Sequence, residues 1–348
     1  MLEGKEDEGQ DMRQYLSRMK DIQDMRQRQS LPGEQKLILT QRRIREWYEY
    51  WEGQVYVSFS GGKDSTALLD IVWNIYPDVP AVFSNTGLEY PEIVDFVKQT
   101  AEKHPGRVVI VRPKKTFLQV IQEHGYPVVS KKVSYQLRIL REHKDNPRRK
   151  GTYCLYDTGV RGDGELSLRD RLPDKWRKLV NADFRISEKC CDELKKKPFR
   201  VYGKDTGRKP ITGMTAGEGG VRSRVRRCNA FTSSHPISSP MLFWLEKDVW
   251  EYLREREVPY CQIYDYRYGA LPPKDRTGCM FCAFGAHLEG EPNRFQQMAV
   301  SHPKQYAYCM DKLGMRHVLD VVGVPVTPPL PMFTRCEKNN DPPRETVK

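Results

Sequence analysis

The sequence predicts an α/β protein built on an open, mostly parallel, doubly wound sheet. Short β-branched segments alternate with amphipathic segments from residue 53 onward. The predicted elements follow in the order strand 55–59, helix 65–76, strand 81–84, helix 91–103, strand 107–111 and helix 116–124. Strands that alternate with helices form a parallel sheet covered on both faces. Ligands of such sheets lie beyond the carboxyl ends of the strands, which is where a glycine turn follows the first predicted strand.

The glycine turn is a hexapeptide, Ser60-Gly61-Gly62-Lys63-Asp64-Ser65, and an apolar helical segment follows it. Two glycines let the backbone turn sharply, and the N–H groups and dipole of a helix N-terminus attract an anion. Lys63 adds a positive charge, while Ser60 and Ser65 add hydroxyl donors. The spacing matches neither the Walker loop nor G-x-G-x-x-G. The turn therefore predicts a phosphate-binding site of another kind.

We expect the chain to divide into three consecutive segments. Residues 1–50 are charged with amphipathic spacing, which predicts an N-terminal helical cap. Residues 51–275 are expected to form the nucleotide-binding domain, with a polar, irregular insert near 143–180. Residues 276–348 are expected to form a cysteine-containing, helical C-terminal region. Prolines beyond residue 318 predict a tail without regular structure.

The composition excludes some classes of protein and favours others. The chain has 348 residues, of which 38% are hydrophobic, and no apolar run approaches the roughly 18–20 residues of a membrane span. The start lacks the apolar core of a secretory signal, so we expect a cytoplasmic protein without a membrane partner. Nine cysteines in a reducing compartment indicate metal binding or catalysis rather than disulfides.

The net charge of +12 indicates an anionic partner such as a nucleotide or a polynucleotide. Basic residues gather in two groups, and a solvated surface is the alternative explanation for each. The groups are Lys131, Lys132, Arg138, Arg141, Arg148, Arg149 and Lys150, and then Arg222, Arg224, Arg226 and Arg227.

Several motifs together resemble the phosphoadenosine phosphosulfate reductase family. The hexapeptide is similar to the PP-loop, Ser-Gly-Gly-x-Asp-Ser, of N-type ATP pyrophosphatases and sulfonucleotide reductases. The second strand ends in an Asn-Thr-Gly turn, where Asn85 stands in place of the family's acid, and an aromatic-Pro-Glu step follows. The resemblance continues through Ile211-Thr212-Gly213, Ser239-Pro240-Met241, Trp244, Asp248-Val249-Trp250, Pro259-Tyr260 and Ile263-Tyr264-Asp265.

The resemblance implies an adenine nucleotide alpha-hydrolase-like fold that binds ATP or an adenylyl nucleotide across the strand ends. It places the hexapeptide, Ser60 to Ser65, at the phosphates, and the turn after the second strand near the adenosine. The other residues expected at the nucleotide are Ser84, Asn85, Thr86 and Gly213. Lys63 and Asp64 are the expected catalytic residues. Asp64 is expected to help hold Mg²⁺ through water, and capping of the helix is the alternative role.

Four cysteines form a candidate metal site. Cys190 and Cys191 are adjacent, and Cys279 and Cys282 form a C-x2-C motif. This pattern resembles the 4Fe-4S ligation of adenylyl sulfate reductases. Zinc is the alternative, because four thiolates also make a closed tetrahedral site. The sequence also leaves open a ligand set made of Cys228, Cys279, Cys282 and Cys309.

The C-terminal segment departs from the reductase pattern. Sulfonucleotide reductases carry a reactive cysteine in Glu-Cys-Gly-(Ile or Leu)-His, whereas Cys336 is followed by Glu-Lys. We therefore expect an ATP pyrophosphatase or adenylating enzyme that is coupled to iron–sulfur-dependent sulfur transfer. This chemistry resembles that of the DNA phosphorothioation sulfurtransferases and the tRNA thiolation enzymes, with DNA or tRNA and a sulfur donor protein as partners. The alternatives are a sulfonucleotide reductase that releases sulfite and a non-catalytic nucleotide-binding subunit of a modification or defence complex.

Overall fold

The computed structural model describes residues 21–216, 227–267, 271 and 273–329. These residues form two compact units that are interleaved along the chain. The first unit contains the described residues within Met1–Asn85, Pro91–Arg112 and Lys197–Cys261, and the second contains those within Thr86–Tyr90, Pro113–Lys196 and Gln262–Lys348. None of the helices in these described ranges is long and apolar enough to cross a membrane.

The described strands are short. They are β1 (Val55–Ser58), β2 (Ala81–Ser84), β3 (Val108–Val111), β4 (Val128–Val129), β5 (Lys209–Thr212), β6 (Asn229–Ala230), β7 (Ile237–Ser238) and β8 (Ala283–Phe284).

The α-helices flank these strands along the chain. They are α1 (Gly33–Tyr50), α2 (Lys63–Trp73), α3 (Pro91–Lys103), α4 (Phe117–His124), α5 (Lys131–Glu142), α6 (Lys150–Thr158), α7 (Lys197–Thr206), α8 (Glu246–Glu255), α9 (Arg294–Ser301), α10 (Pro303–Ala307) and α11 (Met315–Val322).

The first unit is built on a six-stranded sheet with the strand order β3-β2-β1-β5-β7-β6. The first five strands in that order, β3, β2, β1, β5 and β7, run parallel to one another. The edge strand β6 pairs with β7 in the antiparallel direction. The central residue Val57 pairs with Ala81 on one side and with Ile211 on the other, and all three are fully buried. The predicted α/β fold with a mostly parallel sheet is therefore confirmed.

The N-terminal helix α1 is held in place within the first unit by polar contacts on its buried face. The ammonium of Lys36 lies 2.6 Å from the Asp248 carboxylate, and both side chains are almost completely buried. Four residues later, the hydroxyl of Thr40 accepts a hydrogen bond of 2.8 Å from the indole N–H of Trp244. A buried charge must be paired to be tolerated, so the Lys36–Asp248 pair fixes where α1 meets the start of α8.

The second unit carries a small parallel pair of strands, β4 and β8, in which Val128 pairs with Ala283. Its insert is more regular than expected. Helix α6 and two 3-10 segments, Pro147–Arg149 and Asp174–Asn181, occupy much of residues 143–180. Trp176 and Leu179 are buried, which explains why the second 3-10 segment is ordered against the unit.

The C-terminal region also differs from the expectation. Helix α11 continues to Val322, beyond the residue after which we expected no regular structure. Met315, Val318, Leu319 and Val322 are buried along one face of this helix. Residues 330–348, which include Cys336, lie outside the described residues, and so do Arg222, Arg224 and Arg226.

Candidate functional site

The predicted phosphate loop lies in the first unit, between β1 and α2. The hydroxyl of Ser65 accepts a hydrogen bond from the Ser60 N–H at 3.1 Å and lies 2.9 Å from the Gly62 carbonyl, to which it donates. The hydroxyls of Ser60 and Ser65 are 3.0 Å apart. Both serines thus hold the turn in shape, a role that the sequence argument did not assign to them. The N-cap of α2 is Gly62, which offers no side chain to cap the helix.

Lys63 is a buried cation at the start of α2. Its side chain is 3% exposed, and its ammonium lies 3.2 Å from the Glu246 carboxylate and 3.6 Å from the Asp64 carboxylate. Asp64 is partly exposed and Glu246 is about half exposed. Glu246 is not among the site residues predicted from the sequence, because nothing in its local surroundings on α8 distinguishes it from other surface acids.

Two glycines are required by the packing of the loop. Gly61 has a φ of +71°, and a Cβ there would lie 2.9 Å from methyl groups of Ile93 and Val97. Gly213 follows β5, and a Cβ there would lie 2.8 Å from the carbonyl oxygen of Asp64 and 3.1 Å from the Cα of Ser65. The predicted site residue Gly213 therefore packs directly against the backbone of the loop, where only a glycine fits without displacing it.

Replacing Gly213 with alanine should push the turn after β5 away from the start of α2. The obstructing atoms belong to the backbone of Asp64 and Ser65 and have no flexible side chain to move. We expect a loss of about 1–3 kcal/mol in the free energy of unfolding, measured by urea denaturation. Gly151→Ala is the control, because nothing lies within 4 Å of a Cβ there. Equal stability of the two variants would contradict this description of the loop.

The turn after β2 divides between the two units. Ser84 and Asn85 belong to the first unit, where the Asn85 N–H donates to the Val111 carbonyl at 2.9 Å. Thr86 belongs to the second unit, where Glu89 accepts hydrogen bonds from its N–H at 2.9 Å and from its hydroxyl at 2.7 Å. Ser84 and Thr86 are both buried.

Within the second unit, the turn that begins at Thr86 contacts the C-x2-C segment. The carbonyl of Leu88 accepts a hydrogen bond of 2.8 Å from the N–H of Met280, which lies between Cys279 and Cys282. Thr86, which is expected near the adenosine, therefore begins a turn that is hydrogen-bonded to the segment containing Cys279 and Cys282.

The four predicted metal-binding cysteines all belong to the second unit. Burial raises the pKa of the Cys190 thiol strongly, and the charges of Cys191, Cys279 and Cys282 raise it further. Burial likewise raises the pKa of Cys279 to about 11, although Lys195 works against it. Burial and the charges of the other three thiols thus act on Cys190 in the same direction.

The other two cysteines that the sequence left open belong to different units. Cys228 belongs to the first unit, and its pKa is raised by burial while Arg43 and Arg28 act to lower it. Cys309 is in the second unit, where burial alone raises its pKa to about 12. Cys228 therefore lies in a different unit from the C-x2-C pair, whereas Cys309 shares a unit with it.

Two cations accompany the four thiols. Burial acts to lower the pKa of Lys195, but the charges of Cys279 and Glu89 and a hydrogen bond with the Cys279 thiol raise it overall. Arg294, at the start of α9, donates from Nη1 to the Cys282 carbonyl at 3.1 Å and from Nε to the Glu289 carboxylate at 2.7 Å. Nothing in the local sequence indicates this role of Arg294, because the contact depends on how α9 packs.

The four thiols fit a metal group by their chemistry. Among the described residues, no three His, Cys, Asp or Glu side chains are arranged to hold a metal ion. The thiols are nonetheless gathered in one unit, and Lys195 and Arg294 bring positive charge to them. Thiolates ligate both iron–sulfur clusters and zinc, so the donor set suits either group in kind.

An ion pair fixes the segment that carries Cys190 and Cys191. The guanidinium of Arg138 on α5 donates to both carboxylate oxygens of Glu188, at 3.0 Å and 2.8 Å. Both side chains are less than one-fifth exposed. A two-pronged contact of this kind restricts direction as well as distance, so it orients the chain two residues before Cys190.

Replacing Arg138 with methionine should lower the free energy of unfolding by about 2 kcal/mol, because Glu188 loses both of its charged hydrogen bonds. Thermal and urea unfolding measure this effect. Arg161→Met removes an exposed pair with Glu165 in the same unit and should change stability by less than about 0.5 kcal/mol. If both variants lose the same stability, the Arg138–Glu188 pair has no special structural role.

Comparisons with known proteins agree with the motifs. The family described as phosphoadenosine phosphosulfate reductase domain matches residues 54–147 and 163–283. An adenosine 5'-phosphosulfate reductase of Staphylococcus epidermidis is 23% identical over 244 residues, which cover 69% of this chain and 74% of that protein.

Solved structures are similar at a lower level. The phosphoadenylyl-sulfate reductase from Candida auris, in a phosphate complex, has a TM-score of 0.39 and 16% identity, over 72% of this chain and 98% of that one. The U34-tRNA thiolase from Methanococcus maripaludis, solved with its 4Fe-4S cluster, has a TM-score of 0.32 and 15% identity, over 84% of this chain and 82% of that one. Because the family match covers more than half of its length, the chain belongs to the phosphoadenosine phosphosulfate reductase domain family.

Proposed function

We propose that this protein binds magnesium-ATP at the Ser60–Ser65 loop and adenylates an acceptor with release of pyrophosphate. Sulfur then displaces AMP from the adenylated acceptor, in a second step for which an iron–sulfur cluster would be required. The observation that carries the first part is the charge around Lys63. Its ammonium lies between the carboxylates of Asp64 and Glu246, so the three side chains together carry one net negative charge.

This charge balance favours a metal-bound nucleotide over a free anion. A phosphate that approaches Lys63 also meets two carboxylates, and like charges at such short range repel. Magnesium bound to the phosphates brings positive charge next to these two carboxylates, and carboxylates are among its preferred ligands. ATP is used as its magnesium complex in phosphoryl and nucleotidyl transfer, which supports ATP as the ligand.

The adenylation step is a substitution at the α-phosphate. An acceptor oxygen forms a bond to the α-phosphorus, the bond from that phosphorus to the bridging oxygen breaks, and pyrophosphate leaves with the electron pair. Lys63 stabilises the charge that develops on the phosphate oxygens, because a preorganised cation acts most strongly in a site shielded from water. The backbone N–H groups at the start of α2 hold the phosphates in place.

The second part of the proposal concerns the cysteines. Cys190, Cys191, Cys279 and Cys282 would hold a 4Fe-4S cluster, which would supply the sulfur-transfer chemistry when bound. Lys195 and Arg294 contribute positive charge beside these thiols, and Arg294 also holds the Cys282 carbonyl. A zinc site in the same place is the alternative.

The acceptor that we propose is a polynucleotide, DNA or tRNA. The net charge of +12 favours a polyanion. Arg148, Arg149 and Lys150 of the first basic group are exposed on the second unit and are available to contact phosphates. A sulfur donor protein completes the expected set of partners.

A sulfonucleotide reductase is the second candidate. The family description and the Staphylococcus epidermidis relative both name reductases, which supports release of sulfite from adenylyl sulfate. The segment around Cys336 weighs against it, because it lacks the glycine and histidine that follow the reactive cysteine in the family pattern. A nucleotide-binding subunit without activity is the third candidate.

One pair of assays separates the three candidates. Protein purified without air is tested for pyrophosphate release from magnesium-ATP with tRNA or DNA as the acceptor, and for sulfite release from adenylyl sulfate with a thiol donor. We expect pyrophosphate and no sulfite. Sulfite without pyrophosphate would establish the reductase, and neither product would favour the non-catalytic subunit.

A further inference from the structure

A carboxylate from a distant part of the chain reaches the lysine of the phosphate loop. The Glu246 carboxylate lies 3.2 Å from the Lys63 ammonium. Exposed ion pairs are usually loose and weak. Here the cation is 3% exposed while the carboxylate is 46% exposed, so the buried partner restricts where the pair can form.

The backbone around Glu246 is held from two sides within the first unit. Asp248 accepts hydrogen bonds of 2.6 Å from the Leu245 N–H and from the Lys36 ammonium on α1. One turn further along α8, the Tyr252 hydroxyl donates to the Asp70 carboxylate on α2 at 2.7 Å. The start of α8 is thus fixed relative to α2, and the Glu246 side chain projects from a rigid position beside Lys63.

We propose that Glu246 is a specificity-determining residue that makes the phosphate loop select a metal-bound phosphate chain over a metal-free anion. A phosphate oxygen that binds the Lys63 ammonium lies within about 6 Å of the Glu246 carboxylate, the sum of two hydrogen-bond lengths. At that distance the carboxylate repels a free phosphate or a sulfonucleotide, whereas the positive charge of magnesium offsets the repulsion. This inference rests on the proposed binding of ATP at this loop.

The test measures four affinities in wild-type protein and in Glu246→Gln, which removes the charge and keeps the shape. Calorimetry gives the Kd of ATP with magnesium, ATP with EDTA, and adenylyl sulfate with and without magnesium. In Glu246→Gln, we expect metal-free ATP and adenylyl sulfate to bind about tenfold more tightly, because one repulsive charge is gone. The Kd of magnesium-ATP should change less than about twofold, since the metal already offsets the carboxylate in wild-type protein.

The matched control is Glu251→Gln, which removes an exposed carboxylate from the same helix. It should leave all four affinities at their wild-type values, and thermal melting checks that both variants are folded. If Glu246→Gln keeps the wild-type ratio of metal-bound to metal-free affinity, Glu246 does not determine specificity.

The same data separate failure of this inference from failure of the proposed function. If wild-type protein does not bind magnesium-ATP but Glu246→Gln binds adenylyl sulfate about tenfold more tightly, the proposed adenylation fails and the repulsion of free anions by Glu246 stands. If wild-type protein does not bind magnesium-ATP and Glu246→Gln leaves the anion affinities unchanged, both fail.

Discussion

Lys63→Ala should lower the rate of pyrophosphate release from ATP by about 100-fold or more. Removal of one preorganised group that stabilises transition-state charge typically costs two to three orders of magnitude in rate. Lys63 is buried at the helix start, where solvent screens its charge weakly. Lys63→Met is a second variant that keeps most of the buried stem, so a folded protein without the charge is available even if alanine leaves a destabilising cavity.

Lys98→Ala is the matched control for this prediction. Lys98 lies on α3 in the same unit, is exposed, and pairs only loosely with Asp95 at 3.4 Å. Its loss should leave the rate within twofold of wild type. Equal turnover by wild type and Lys63→Ala would mean that the observed activity belongs to a contaminant or that the loop does not bind the phosphates.

Cys279→Ser should reduce iron in anaerobically purified protein from about four atoms per chain to near zero. A serine hydroxyl is a poor replacement for a thiolate, and the variant would offer the cluster only three of its four thiolate ligands. Cys190→Ser should have the same effect, because Cys190 is the second proposed ligand in the same unit and the charge of Cys279 acts on its buried thiol. Iron and sulfide analysis and the visible absorption spectrum measure the result.

Cys154→Ser is the control, since Cys154 lies on α6 and its thiol contacts Thr158. It should retain full iron. Zinc without iron in the wild-type protein would indicate a structural zinc site instead of a cluster. That result would remove the support for cluster-dependent sulfur transfer. Normal iron in Cys190→Ser would instead point to a ligand set that includes another cysteine.

The longer strands were predictable because each is an apolar run that ends at a turn. β1, β2 and β3 all lie within one residue of their predicted positions. The strands β4, β6, β7 and β8 have two residues each, which is too short for any alternation to be recognised. Their pairing depends on tertiary contacts.

The helices of the second unit show a different limit. Helix α6 has no buried residue, so it leaves no hydrophobic periodicity in the insert for a sequence argument to detect. Helix α11 does have that periodicity, but the prolines beyond it favoured an end of regular structure at residue 318, which is too early. The helix ends at Gly323, whose φ of +81° terminates it before the prolines begin.

The candidate site was predictable only where its residues form local motifs. The hexapeptide and the two cysteine pairs are compact in sequence, and the structure places the four cysteines in one unit. Glu246 and Arg294 carry no local signal, because each acts on a residue far away in the chain. Chain order also does not indicate that residues 113–196 share a unit with the described residues of 262–329, or that the described residues of 197–261 belong to the first unit.

The most direct test of the account is a crystal structure of the wild-type protein with magnesium and a non-hydrolysable ATP analogue. The account predicts that the phosphates lie within hydrogen-bond distance of the backbone N–H groups between Gly61 and Ser65 and of the Lys63 ammonium. A nucleotide bound elsewhere in the protein, with this loop empty, would contradict it.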